Sequence, residues 1–460
     1  MSHPQMTAQE RRAATTLAGI FGLRMVGLFM VLPVLALHAR DLAGATPALV
    51  GMAVGVYGLT QALLQVPFGM ASDRLGRKPV IAFGLLLFAA GSVLAALADT
   101  VHGVILGRAL QGSGAIAAPV MALLADLTRE EHRTKAMAMM GASIGFAFLL
   151  AMVAGPALAG VIGVPGIFWL IAAFALGAIG VLFAAVPRPA HIGFHREAEA
   201  VPALFGRMLR DGQLLRLDFG VMTLHLVLTA SFVVLPLALR DVAGLAPERH
   251  WLVYLPVMVL AMAAAVPFII VAERKRRMKP VFLGAIAVLA LSEFGIFAFH
   301  HSLPLLAVLL WLFFAAFTLL EASLPSLLSK EAPADAKGTA MGVYSSSQFL
   351  GAFIGGAAGG ALYGLAGFGA VFAFCAGIIL VWLAWAASMR PPRYLQGTLL
   401  HIEAISPAEA ERLQAELAAV AGVVEVAVHP EDGVAYLKVD ADRLDEAALA
   451  RYSEAEPEPA

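Results

Sequence analysis

Cysteine is nearly absent. The 460 residues hold one, Cys375, which rules out an intramolecular disulfide and any cysteine-cluster metal site. Charge is scarce too: Asp, Glu, Lys and Arg make up 14% of the chain against 60% hydrophobic residues, and mean hydropathy is +0.84. Those values exclude an ordinary soluble globular protein, and a formal net charge of −1 gives nucleic acid no basic surface to bind. No G-x-x-x-x-G-K-[ST] loop occurs, so nucleotide hydrolysis is not the energy source. Neither an enzyme nor a metal or organic cofactor is expected.

Long apolar runs are what the chain has instead. Crossing a hydrocarbon core of about 30 Å as helix takes roughly 20 residues. Runs of that length fall at 13–38, 47–71, 79–99, 102–126, 137–162, 166–187, 217–239, 251–272, 280–300, 304–328, 338–363 and 367–389. Lipid leaves exposed backbone groups unsatisfied and the runs are too long for barrel strands, so twelve transmembrane helices are expected. The polar start MSHPQMTAQERRAATT lacks the apolar core of a removed signal peptide, and the first span is expected to be retained.

Basic residues orient these spans. The start and the connections after even-numbered spans hold Arg11, Arg12, Arg74, Arg77, Lys78, Arg129, Arg133, Lys135, Arg196 and Arg274 through Arg277, among others, while the opposite connections hold only Arg40, Arg240 and Arg249. The positive-inside rule then puts both termini in the cytoplasm of a multi-pass inner-membrane protein.

The spans divide into two halves of six. GMASDRLGRKPVI, from Gly69, joins spans 2 and 3, and ERKRRMKPVF, from Glu273, joins the corresponding spans about 200 residues later; both contain KPV. RTKAMAMMGAS from Arg133 is echoed by KGTAMGVYSSS from Lys337. Such an internal repeat is a transporter signature. The expected organisation is a six-helix bundle over 1–187, a cytoplasmic linker over 188–216, a second bundle over 217–390, a short linker over 391–397, a soluble domain over 398–452 and an acidic disordered end over 453–460.

The pattern G-x-x-x-D-R-x-G-R-K, here Gly69, Asp73, Arg74, Gly76, Arg77 and Lys78, resembles the hallmark loop of the major facilitator superfamily. GRALQGSGA in span 4, with Arg108, resembles that family's second motif. AGPALAG in span 5, with Gly155 and Pro156, resembles the glycine-proline motif of its proton-coupled antiporters, although Ala151 and Ala159 replace glycines usual there. The resemblance implies a fold of two pseudo-symmetric six-helix bundles working by alternating access. It implies that Arg77 pairs with Asp126 at the end of span 4. It implies further that Asp73 faces the N-terminus of the eleventh helix, a latch closed when the carrier faces outward.

An ionisable side chain at membrane depth marks function by default, because placing it there costs at least about 2.5 kcal/mol. Arg24, Arg108, Glu293 and Glu321 qualify and are the proton-coupling candidates. Each also has a structural reading: Glu321 as a paired carboxylate near Pro325, Arg24 and Arg108 as helix-to-helix ties, and Glu293 as a contact on a helix peripheral in the family. His225 and Asp218 read as satisfied polar residues. Gln61, Gln65, Ser347 and Gln348 lie on helices that line the cavity in the family and are candidate cargo contacts, with interhelical hydrogen bonding the alternative. Gly155 and Pro156, and the glycines of GAFIGGAAGG from Gly351, are read as packing and bending positions.

Beyond Arg393 the composition changes. Residues 394–460 carry 4 basic and 14 acidic side chains. TLLHIEA alternates like a strand; Ser406, Pro407 and Glu409 form a capping box with proline at the first helical position; VVEVAVHPEDGVAYLKV reads as a hairpin and DADRLDEAALARY as a helix. This β-α-β-β-α order resembles a small ferredoxin-like domain without its final strand, open-edged or completed by another chain, and without the cysteine pair of metal-binding versions. A drug-efflux-like subgroup of the family carries such a tail. The expected function is proton-coupled export of a small apolar or amphipathic compound by a monomer. The alternatives are a membrane sensor whose tail binds a ligand or partner, and an uncoupled uptake facilitator.

Overall fold

The computed structural model describes residues 6–189, 201–402, 406–430, 433–440 and 442–452; Arg196, part of the interbundle linker and the acidic end from residue 453 lie outside the described residues. The N-terminal half comprises α1 (Ala8–Met30), α2 (Leu32–Ala39), α3 (Pro47–Leu75), α4 (Arg77–Ala96), α5 (Val101–Ser113), α6 (Ala117–Asp126) and α7 (Glu130–Ala185). A short α8 (Phe205–Met208) precedes the C-terminal half, α9 (Gly212–Asp241), α10 (Trp251–Arg274), α11 (Met278–Phe299), α12 (Leu303–Glu331) and α13 (Lys337–Ala387).

Among the described residues ten helical runs are long and apolar enough to span, and two are far too long to span once. α7 has 56 residues and α13 has 51, so at about 1.5 Å per residue either would overreach the hydrocarbon core more than twofold. Each is broken by a glycine with positive φ, Gly163 at 70° and Gly367 at 75°, where a β-carbon would be strained. The breaks yield the twelve crossing segments. Twelve crossings return both ends of the membrane part to one face, here called the terminal face. The break at Gly163 lies in the expected connection between the spans 137–162 and 166–187, and Gly155 and Pro156 remain within helical geometry. Gly155 serves contact instead: a β-carbon there would come within 2.4 Å of the Met30 carbonyl.

The two halves meet along a glycine seam between α3 and α13. A β-carbon on Gly51 would lie 2.2 Å from the Gly356 carbonyl, and one on Gly58 would lie 2.4 Å from that of Phe349. The seam occupies the part of α3 remote from the terminal face. Nearer that face, α3 turns back to its own half, where Gly69 faces Ala118. Arg40 closes the remote end further with a 2.7 Å salt bridge to Asp241 across the halves. The ion pairs Arg77–Asp126, Glu10–Arg129 and Glu273–Lys330, at the terminal face, each stay within one half.

The tail forms β1 (Gln396–His401), α14 (Pro407–Ala419), β2 (Val423–His429), β3 (Val434–Val439) and α15 (Glu446–Leu449), with an antiparallel sheet in the order β1-β3-β2. The capping box at Ser406 and Glu409 is present. β1 begins two residues before the expected domain start, and the last helix is only one turn plus a 3-10 turn over Ala450–Tyr452, shorter than its sequence pattern suggests. All six residues of β3 are buried, so both sheet faces are covered. Ala435, Leu437 and Val439 pack with Leu417 and Leu449 on one side. On the other, Lys438 donates 2.9 Å to the Lys330 carbonyl and Glu425 accepts from the Ala334 amide at 3.2 Å, seating the tail on the α12–α13 connection.

Candidate functional site

Three polar clusters interrupt the apolar bundle. The first joins α1, α3 and α5. Arg24 is 3% exposed, and its Nη2 lies 2.8 Å from Tyr57 Oη, 2.9 Å from Gln61 Oε1 and 2.8 Å from the Gly114 carbonyl. With two hydrogens on Nη2, two of these acceptors are served at a time, while Nε and Nη1 are buried without a partner among the described residues. Arg108 donates 2.9 Å to Gln111, which donates 2.6 Å to Ser92. Its guanidinium lies 5.0 Å from the centre of the Tyr57 ring, and that of Arg24 lies 5.4 Å from the centre of Phe88. Neither arginine forms an ion pair among the described residues. A cation over a desolvated ring gains about 2 kcal/mol, less than the several that burying the charge costs. The cluster thus keeps a standing attraction for an anion. Gln61 and Gln65, linked at 2.7 Å, are buried and hold Arg24 in place.

The second cluster joins α9, α12 and α13 in the other half. His225 Nδ1 lies 3.2 Å from the Val221 carbonyl, Gln348 Nε2 lies 2.7 Å from His225 Nε2, and Glu321 Oε2 lies 3.7 Å from the same Nε2. Gln348 also reaches Glu321 Oε1 at 3.4 Å. The Glu321 side chain is 36% exposed. Ten residues separate it from the end of α12, about 15 Å of helix, placing it near mid-membrane. Ser347 lies one residue from Gln348, half-buried. Glu293 is in neither cluster: fully buried on α11, it accepts from Ser231 at 2.8 Å.

The third cluster is at the terminal face. Gly76, at φ 93°, lets α3 end and α4 start one residue later, which turns Arg77 inward to 2% exposure. Its Nε donates 3.0 Å to Asp126, and its Nη1 donates 3.0 Å to Ser72 and also contacts Asp73. Lys78 caps the end of α7 through the Val186 carbonyl, and Arg74 is exposed. The Arg77–Asp126 pair implied by the resemblance is therefore formed. Asp73 turns onto Arg77 within its own half.

The family model for the Major Facilitator Superfamily matches residues 17–292 and 271–410. The chain belongs to that superfamily. It is 48% identical over 440 residues to the "Inner membrane transport protein YajR" of Escherichia coli (strain K12), covering 96% of each chain. It is 25% identical over 349 residues to the "Multidrug resistance protein MdtH" of Aeromonas hydrophila, covering 74% of this chain and 84% of that one. A bacterial homologue of the lysosomal transporter Spinster superimposes with a TM-score of 0.70 at 13% identity, covering 83% of this chain and 97% of that one. The human organic anion transporter MFSD10 does so with 0.62 at 20% identity, covering 83% and 100%. The protein is thus a multi-pass inner-membrane transporter of this superfamily, and not an enzyme.

Sequence reasoning read His225 as a satisfied polar residue and passed over Tyr57. A tyrosine beside glycines carries no local signal, and both residues acquire their distant partners only when helices more than 30 residues apart pack together.

Proposed function

We propose that this transporter exports a small amphipathic compound in exchange for protons, with Glu321 as the proton carrier and the terminal face in the cytoplasm. The observation that carries this reading is the His225–Gln348–Glu321 cluster: a carboxylate near mid-membrane, partly exposed, and held by an imidazole. Neutral His225 uses Nδ1–H on Val221 and accepts from Gln348 at Nε2. A proton passed from Glu321 to Nε2 removes that acceptor and turns the ring into a cation facing the ionised Glu321. Binding a proton therefore reorganises contacts among three helices, which is what coupling requires. One proton moving down 100 mV releases about 2.3 kcal/mol, enough for roughly fifty-fold accumulation of a neutral solute.

The basic residues concentrated at the terminal face support its cytoplasmic placement. With the halves sealed at the remote end, this arrangement is the inward-facing one. The Arg77–Asp126 pair and Asp73 act as the gate that re-forms against α13 when the carrier turns outward. For cargo, MdtH is named a multidrug resistance protein and MFSD10 an organic anion transporter. The buried Arg24 and Arg108, lacking carboxylates, favour an amphipathic cargo with a negative group.

The test is internal pH in proteoliposomes holding the parent or Glu321→Gln, challenged with amphipathic anions, cations, sugars and amino acids. Compound-triggered proton flux in the parent and none in the variant is expected; equal flux in both would remove Glu321 as carrier.

A further inference from the structure

The tail does not merely rest on the membrane bundle; a cavity lies between them. It has a volume of about 260 Å³ and is lined from one side by Ser329, Lys330 and Lys337 and from the other by Thr398, Tyr436 and Lys438. Three lysines line it and no carboxylate does. Lys330 is already shared with Glu273 at 2.8 Å, and Lys438 lies 3.6 Å from Glu425. Lys337 forms no hydrogen bond or ion pair among the described residues. It is the first residue of α13, whose N-cap, Ala336, supplies no side-chain acceptor, so the helix dipole adds to the same positive field. Burial depresses the pKa of Lys438; Glu425 and Glu331 oppose the drop and Lys337 adds to it. Lys337 is thus the lining ammonium without a counter-ion among the described residues, and the hydroxyls of Ser329 and Thr398 line the same cavity.

We infer that this cavity binds a phosphate group, which clips the tail onto the entrance of α13. A phosphate offers several acceptor oxygens and one or two negative charges, matching ammonium and hydroxyl donors at a helix N-terminus. The space is below that of drug-sized sites, so the ligand is a compact phosphate compound or a phospholipid headgroup. Both walls are needed: one belongs to the sheet, the other to the connection between α12 and α13. Because α13 forms the seam between the halves, a ligand that requires this docked arrangement stabilises it over any in which α13 has moved. The inference is independent of which compound is transported.

The test uses full-length protein and sodium pyrophosphate as probe, followed by titration calorimetry in detergent, with sodium acetate at equal ionic strength as control. Saturable binding in the parent is expected, weakened about tenfold or more in Lys337→Gln and measurably in Thr398→Val, since a charge-assisted hydrogen bond is lost. Lys337 is half-buried and bonded to nothing described, so its substitution is compatible with folding. Heats equal to those of acetate, or unchanged affinity in Lys337→Gln, would overturn the site. Tryptic cleavage at the Arg393–Tyr394 bond should slow with pyrophosphate in the parent alone; unaltered cleavage would overturn the clip. Repeating the titration in nanodiscs separates the sources. Binding retained in phosphatidylcholine and lost in phosphatidylglycerol marks a headgroup site, while equal binding in both marks a soluble phosphate compound.

Discussion

Gln348 Nε2 sits 2.7 Å from His225 Nε2, a contact that suits the imidazole tautomer with its hydrogen on Nδ1. An amide NH2 can only donate, so Nε2 is bare and the ring hydrogen is on Nδ1, directed at Val221. Protonation exchanges Gln348 for Glu321 as the partner of Nε2. His225→Gln should therefore lower compound-triggered proton flux at least about tenfold, and adding Glu321→Gln should cost little more, because the pair acts as one unit. Stopped-flow pH quenching in proteoliposomes reads this directly. Independent, multiplicative losses would show that the two residues do not share a proton.

Arg77 and Asp126 form a buried pair at 2% and 0% side-chain exposure. Removing one partner from a buried pair costs up to about 3–5 kcal/mol, and less here because Asp73 and Ser72 still contact Arg77. Asp126→Ala should lower the melting temperature in detergent more than Arg74→Ala, which removes an exposed charge from the same loop. Equal shifts would mean that the loop acts only through its net charge.

Much of this was legible in the chain. Period, length and basic loops yield twelve helices and a common side for both ends; the capping box at Ser406 and Glu409 and the Arg77–Asp126 pair were also named correctly, the last through resemblance. What escaped depends on contacts between distant helices. Gln61 and Gln65 read equally as cargo contacts or as interhelical hydrogen bonds, and packing buries both, with Gln61 on Arg24 and Gln65 on Gln61. The break in α7 at Gly163 falls in the expected connection between the spans 137–162 and 166–187, while Gly155 and Pro156 stay helical inside the fifth span, where proline is tolerated if neighbours support it. One-sequence periodicity does not contain the contacts between distant helices.

The glycine seam sets which end is closed. A side chain at Gly356 would press on the Gly51 carbonyl, 2.6 Å from the position of its β-carbon, and backbone cannot yield as a side chain can. Gly356→Val should wedge the halves apart at the remote end. Spin labels on exposed Ala43 and Ala246 should then report a longer distance than in the parent; an unchanged distance would show that the seam does not hold the closed end.

In the tail, hydrogen bonds from the Ser406 side chain and then its backbone amide hold the Glu409 carboxyl below its usual pKa. A folded-state pKa below the unfolded 4.5 means that the stabilisation is complete above pH 4.5 and fades as pH falls through the lowered value. Glu409→Gln should weaken hydrogen-exchange protection in α14 at pH 7, and the difference from the parent should vanish in strong acid. A difference that persists unchanged there would trace to packing and not to ionisation.

Arg24 gives the cargo prediction. Its guanidinium holds α1 to α3 and to Gly114, so replacing it wholesale would confuse anchoring with attraction. Arg24→Lys keeps the charge but cannot fork to Tyr57, Gln61 and Gly114, whereas Arg24→Gln keeps hydrogen bonding and removes the charge. If the buried charge recruits an anionic group, KM for an amphipathic anion should rise about tenfold or more in Arg24→Gln and much less in Arg24→Lys, with KM for a neutral amphipath unchanged in both. If the charge only braces helices, the two variants should change both cargos alike, and Arg24→Lys should do more damage, because it loses the fork. Uptake of paired anionic and neutral dyes into inverted vesicles separates the two cases, since charge selectivity and loss of packing act on different columns of the same measurement.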